Sequence, residues 1–158
     1  MATLVVPFKP GGKTRLGDGD LARAMLDDVL AACSSLGPTI VADAPGGQGG
    51  AVETALATIH GPVVIVNADV PCVTTDELQQ LLAATPALVA AHDGTTNALA
   101  LRHARDFRPL YGPGSAARFG LSSLELPGLQ DDVDTWDDLL RVADRVGPNT
   151  RRVMKVRA

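Results

Sequence analysis

Short apolar runs rich in valine alternate along the chain with longer segments whose apolar positions recur every three or four residues. The runs are "TLVVPF" (3–8), "PTIVA" (38–42), "PVVIVNA" (62–68), "ALVAA" (87–91) and "ALALR" (98–102), each of strand length. After the first run, Leu21, Met25 and Val29, with Ala22, Leu26, Leu30 and Cys33, keep the period of an amphipathic helix. Val52, Leu56 and Ile59 repeat it more weakly, and Leu78, Leu81 and Leu82 do so again. "TTDE" at 74–77 has the form of a capping box opening the third helix, and "DTWDDLL" at 134–140 offers Asp134 or Thr135 as the cap of the last. Strands and helices therefore alternate, and a run such as "VVIV" with no polar position suits a strand covered on both faces. The pattern predicts an α/β fold, a three-layer sandwich around a Rossmann-like, mostly parallel sheet. The C-terminal "RRVMKVRA" is read as an added edge strand in preference to a frayed end. No segment repeats, and "PGGQGG" (45–50) is too short to be a domain linker, so residues 1–158 are expected to form one domain.

Composition narrows the partners. With 46% hydrophobic residues in 158 the chain can bury a core of small aliphatic side chains. Only 3% are aromatic and the net charge is −4, which argues against nucleic acid, whose binders need stacking platforms and cationic surfaces. Cys33 and Cys72 have no spacing that suggests a zinc site or disulfide framework, which fits a reducing compartment. No apolar run approaches the roughly 18 residues that span a bilayer, and the N-terminus lacks a signal-peptide layout. A soluble, unprocessed, cytoplasmic protein with no membrane partner is expected.

Ligands of open α/β sheets bind beyond the carboxyl ends of the strands, so the residues there carry the candidate chemistry. After the first run, "KPGGKTRL" sets Gly11 and Gly12 among Lys9, Lys13 and Arg15. Flexible backbone that can aim N–H groups, surrounded by cations, suits a polyphosphate, although the spacing is not that of a Walker A loop. A solvated turn is the alternative. After the third run, Asp69 in "NADVP" meets the crevice as a ligand for a hard cation or as a loop cap. In "LQDDVDTWDDL", Asp132 and Asp134 alternate in an extended segment and so point the same way. They complete an ion site with Asp69, or else they favour the dipole of the helix that follows. Thr95, Thr96 and Asn97 stand just before an apolar strand, and "YGPGS" runs into a short helix near Ser115, a backbone geometry suited to anions. His60, His92 and His103 are scattered without a serine or cysteine partner, so the chemistry needs no protein nucleophile.

Taken in order, "VPFKPGGKTRL", "NADVPCVTTDEL", "DGTTNALALR", "FRPLYGPGSAARF" and "LPGLQDDVDTWDDLL" resemble the CofC/FbiD family of guanylyltransferases of coenzyme F-420 biosynthesis. That family sits in the larger group that includes the molybdenum-cofactor guanylyltransferases, with a fold like that of nucleotide-diphospho-sugar transferases. The resemblance implies that Lys9, Gly11, Gly12, Lys13 and Arg15 hold the triphosphate of GTP, with Lys13, Arg15 and Asp69 as the catalytic residues. It implies that Asp69, Asp132 and Asp134 bind Mg²⁺, and that Thr96, Asn97, Gly112 and Ser115 hold a phosphorylated three-carbon acid. Phosphoenolpyruvate is the preferred acid, 2-phospho-L-lactate and 3-phosphoglycerate the others. GTP and that acid are then the partners, with a homodimer, served by the basic tail, and the downstream transferase of the same pathway as further expectations.

The chain departs from the family in its trimmed loops: between Lys9 and Lys13, between Leu16 and the first helix, and after Phe119. Where relatives carry a G-L-N-A-A-L-like segment near the guanine, this chain has "AVETAL", with Glu53 at the asparagine position as its candidate base contact. A sugar-nucleotide transferase of the same group and a non-catalytic nucleotide-binding module are the competing functions.

Overall fold

A computed structural model describes residues 1–11 and 16–157. Six strands, β1 (Thr3–Pro7), β2 (Thr39–Ala42), β3 (Val63–Val66), β4 (Ala87–Ala90), β5 (Thr96–Leu101) and β6 (Ser122–Ser123), form one sheet in the order β2-β1-β3-β5-β4-β6. Pairings β1–β2, β1–β3 and β4–β6 are parallel, whereas β5 runs antiparallel to both β3 and β4. Five strands thus share one direction and β5 alone opposes them.

Alternation along each strand builds the layers. Leu4, Val6, Val64, Val66 and Val89 face one side, where α1 (Gly19–Cys33) and α3 (Thr75–Ala83) supply Leu26, Val29, Cys33, Leu78 and Leu81. Val5, Val63, Ile65, Leu88 and Leu99 face the other, against Val52 and Leu56 of α2 (Gly47–Leu56) and Phe107. A third cluster joins Leu21 and Met25 of α1 to Cys72, Val133, Leu139 of α6 (Trp136–Arg141), Val142 and Val146. Two short helices complete the chain before α6, α4 (Ser115–Phe119) and α5 (Pro127–Gln130). The expected three-layer α/β sandwich with a mostly parallel sheet is present. Among the described residues no helix is long and apolar enough to cross a membrane.

One local expectation needs correction. The C-terminal tail is a helix, α7 (Pro148–Arg157), not an edge strand. Proline is well placed in a first helical turn, and the cap comes from 121 residues away: Asp28, buried in α1, accepts from Asn149 N at 3.0 Å, Asn149 Nδ2 at 2.9 Å and Thr150 N at 2.9 Å. Gly147 is needed at this junction because a Cβ there would lie 2.4 Å from Asp28 Cγ. At its far end Arg157 pairs with Asp18 at 2.6 Å and Asp20 at 3.1 Å, so the basic tail closes on acids of its own chain.

The glycine-rich "PGGQGG" stretch is not a linker: its last four residues form the first turn of α2. Glycine weakens a helix, but here space decides: a Cβ on Gly49 would sit 2.9 Å from Pro109 Cβ.

Candidate active site

The carboxyl ends of β1, β2 and β3 open onto a cleft of about 510 Å³. Its walls include Phe8 and Lys9 after β1, residues 43–46 between β2 and α2 with Gly47 and Gln48 of the first turn of α2, and Asn67, Ala68 and Asp69 after β3. Gly46, the N-cap of α2, brings no side chain, so backbone of the 43–48 segment meets the cleft directly. Gly11 turns the loop beyond Lys9 with φ +75°. Gly12, Lys13 and Arg15, the rest of the expected triphosphate loop, lie outside the described residues. Glu53 is exposed on α2 and is not among the residues lining the cleft. The acid that does line the cleft beside the α2 N-terminus is Asp43.

Asp69 forms part of the cleft wall and also of an acidic cluster. Asp69, Asp132 and Asp134 each offer a carboxylate oxygen within 4.8 Å of the others, and all three are half-buried. The chain achieves this by a single stitch: Val133 N donates to Asp69 O at 2.9 Å, while the Val133 side chain is fully buried in the third cluster. Its extended neighbours therefore turn together toward Asp69. Asp134 is not the helix cap. Thr135 caps α6, accepting from Asp138 N at 3.1 Å, and Asp138 closes the box on Thr135 N at 3.0 Å. Asp131 points elsewhere, to His92 Nε2 at 2.7 Å and Arg145 Nη2 at 2.5 Å. Partial burial works against its charge, yet Arg145 and His92 hold its carboxyl below the usual range.

Asp132 shows the effect of crowding the three carboxylates. Burial, together with the Asp69 and Asp134 charges, pushes its carboxyl up to about 6 against the opposing hydrogen bonds from Asn97 and from its own backbone. Crowded carboxylates of this kind favour a hard cation, whose positive charge offsets theirs and which takes oxygen ligands. The donor set and spacing fit a divalent ion.

Thr96 and Asn97 reach this rim for a reason the apolar pattern does not carry. They are the first two residues of β5, and because β5 runs against the other strands its N-terminus lies beside their C-termini, with Asn67 N donating to Asn97 O at 2.9 Å. A tight hairpin makes the reversal: Ala91 N donates to Thr95 O at 2.9 Å, Gly94 has φ +85°, and Asp93 Oδ1 accepts from Thr95 N at 3.0 Å. Asp-Gly between two apolar runs was the available signal.

The Thr96 and Ser115 hydroxyls are buried and hydrogen-bonded to each other at 2.8 Å, which docks α4 beside β5. Gly112, at φ +116°, is half-buried in the turn before α4. Arg118 clamps that turn from below, donating to Leu110 O at 2.8 Å and Pro113 O at 2.5 Å. The structure thus gathers Asp69, Asp132, Asp134 and Asn97 at one rim, joins Thr96 to Ser115, and leaves Glu53 apart. Sequence reading missed Asn67 and Gln48; Gln48 Nε2 donates to Asn67 Oδ1 at 2.6 Å, and only Asn67's place directly after β3 hinted at it.

No protein-family model matches the chain. It is 37% identical to a phosphoenolpyruvate guanylyltransferase of Nocardia farcinica over 75% of its own length and 59% of that protein's. The chain therefore spans about three fifths of that relative. A phosphoenolpyruvate guanylyltransferase of Streptomyces scabiei is 33% identical over 94% of this chain and 93% of its own. That alignment runs to 204 positions against a chain of 158, so the relative carries insertions that this chain lacks. A 2-phospho-L-lactate guanylyltransferase of Methanoregula boonei is 29% identical over 96% of this chain and 86% of its own. Among solved structures, a proposed nucleotide-diphospho-sugar transferase of Desulfovibrio desulfuricans shares the fold, with a TM-score of 0.63 at 22% identity, covering 92% of this chain and 87% of that one. The match to the Streptomyces protein across nearly both lengths places the chain in its family: it belongs to the phosphoenolpyruvate and 2-phospho-L-lactate guanylyltransferases.

Proposed function

We propose that the protein transfers GMP from GTP to the phosphate of a small three-carbon acid, with phosphoenolpyruvate as the first candidate, in coenzyme F-420 biosynthesis in the cytoplasm. The observation that carries this reading is that Asp69 belongs both to the cleft wall and to the three-carboxylate cluster. A nucleotide seated in the cleft would then bring its phosphates to the rim where the carboxylates converge.

In the proposed step an oxygen of the acceptor's phosphate attacks the α-phosphorus of GTP in line. A new P–O–P bond forms as the bond to the β-phosphate breaks, and pyrophosphate leaves with the electron pair. A phosphate monoester has a second pKa near ~6 and is mostly dianionic at pH 7, so no protein base has to deprotonate it. Asp69, Asp132 and Asp134 would hold Mg²⁺, which when bound neutralises charge on the phosphates. Lys9, on the cleft wall, supplies a cation on the nucleotide side, and the Gly112–Ser115 turn borders the rim near β5 as the candidate seat of the acceptor.

Pyrophosphate release from GTP and Mg²⁺, measured with phosphoenolpyruvate, 2-phospho-L-lactate and 3-phosphoglycerate in turn, tests the reading. Release with one of the three supports it and names the acceptor. Silence with all three, or release that needs a sugar phosphate, overturns it.

A further inference from the structure

Asn97 is among the most buried polar residues of the protein, 2% exposed, and its side chain is fully engaged. Its amide nitrogen donates to Leu129 O at 2.9 Å, Gln130 O at 3.2 Å and Asp132 Oδ1 at 3.2 Å. Three acceptors gathered on one side fix the orientation of the amide, because the flipped form would set its oxygen against three other oxygens. The amide oxygen faces Asn67, whose Nδ2 lies 3.4 Å away and also donates to Thr96 O at 3.0 Å. Asn67 in turn accepts from Gln48 on the cleft wall at 2.6 Å. A line of three amides therefore runs from the nucleotide cleft to one carboxylate of the acidic cluster.

We infer that Asn97 is a positioning residue for Asp132, braced by Asn67, and not a contact for the acceptor acid. Asp132 is drawn toward neither of its like-charged neighbours by attraction, so something neutral has to set the direction of its carboxylate. The Asn97 donor occupies one oxygen, and the hydrogen bonds to Leu129 and Gln130 fix Asn97 to the backbone just ahead of Asp132. The carboxylate is then aimed before an ion arrives, and ordering it is no longer a cost of ion binding. Residues that orient a metal ligand typically change metal affinity by about 10- to 100-fold when removed. This inference rests on the ion-site reading above.

The test is Mn²⁺ binding without nucleotide, read from the electron paramagnetic resonance signal of the free ion, for the native protein, Asn97→Ala and Asn67→Ala. The expected result is a Kd for Mn²⁺ raised about 10-fold or more in Asn97→Ala and raised less in Asn67→Ala, with the KM for the acceptor within about twofold of native. Unchanged Mn²⁺ affinity in Asn97→Ala, or a raised acceptor KM in its place, overturns the inference while leaving the ion site intact. If Asn97→Ala fails to fold, Asn67→Ala decides, and native affinity in that variant overturns the inference. Failure of the native protein to bind Mn²⁺ overturns the ion site itself and this inference with it.

Discussion

At Asp132 the energetics of the site can be read from one side chain. Its carboxyl stands at about 6 in place of 3.8, so the folded protein holds a proton there that the unfolded chain has released. Stability from this group is present below about pH 4 and is lost as pH rises toward about 6, a change on the order of 1 kcal/mol in the ion-free protein once solvent screening of this part-exposed carboxyl is allowed for. Asp132→Asn should therefore raise the ion-free unfolding free energy at pH 7 and much less at pH 4, checked by urea unfolding at both. The same substitution should lower turnover by on the order of 10²-fold, the usual loss when a pre-organised electrostatic group is removed. The cysteines make an independent check. Burial pushes Cys33 up to about 12 and Cys72 up to about 11, so neither should react with a thiol reagent at pH 8 until urea exposes both. The acids were legible because extended geometry fixes direction: residues two apart point alike, and Asp69 ends a strand. Asn97 was legible as polar but not in its task, since its partners at Leu129, Gln130 and Asp132 lie more than 30 residues on.

Elements were legible where their period is local and illegible where their reason is distant. Valine runs and the spacing of Leu21, Met25 and Val29 mark strands and a helix without reference to anything else. The helix α7 does not announce itself, because the aspartate that caps it sits in α1 and the charged face looks like a tail. The direction of β5 was hidden too, and with it the arrival of Thr96 and Asn97 at the active rim. Asp28→Ala should cost about 3 kcal/mol, leaving the donors of Asn149 and Thr150 without their acceptor. Gly147→Ala should destabilise as well, by driving a methyl into the same carboxylate. Because both changes break one contact, their double variant should lose less stability than the two together, measured as a double-mutant cycle in urea.

For the whole molecule, the sheet turns distant stretches of sequence into one rim. Residue 9, residues 43–48, residues 67–69, residues 96–97 and residues 132–134 meet there because five strands end at that side and the sixth begins at it. A net charge of −4 is no obstacle to the proposed triphosphate substrate, since the local field at the rim would be set by a bound ion and by Lys9 on the cleft wall. The account depends on three aspartates sharing one ion, and the most direct measurement is anomalous scattering from a crystal soaked in Mn²⁺ and a non-hydrolysable GTP analogue. The account predicts one strong peak between Asp69, Asp132 and Asp134, within about 2.2 Å of their oxygens and beside the nucleotide phosphates. A peak elsewhere, or none at that rim with the nucleotide bound, would contradict it.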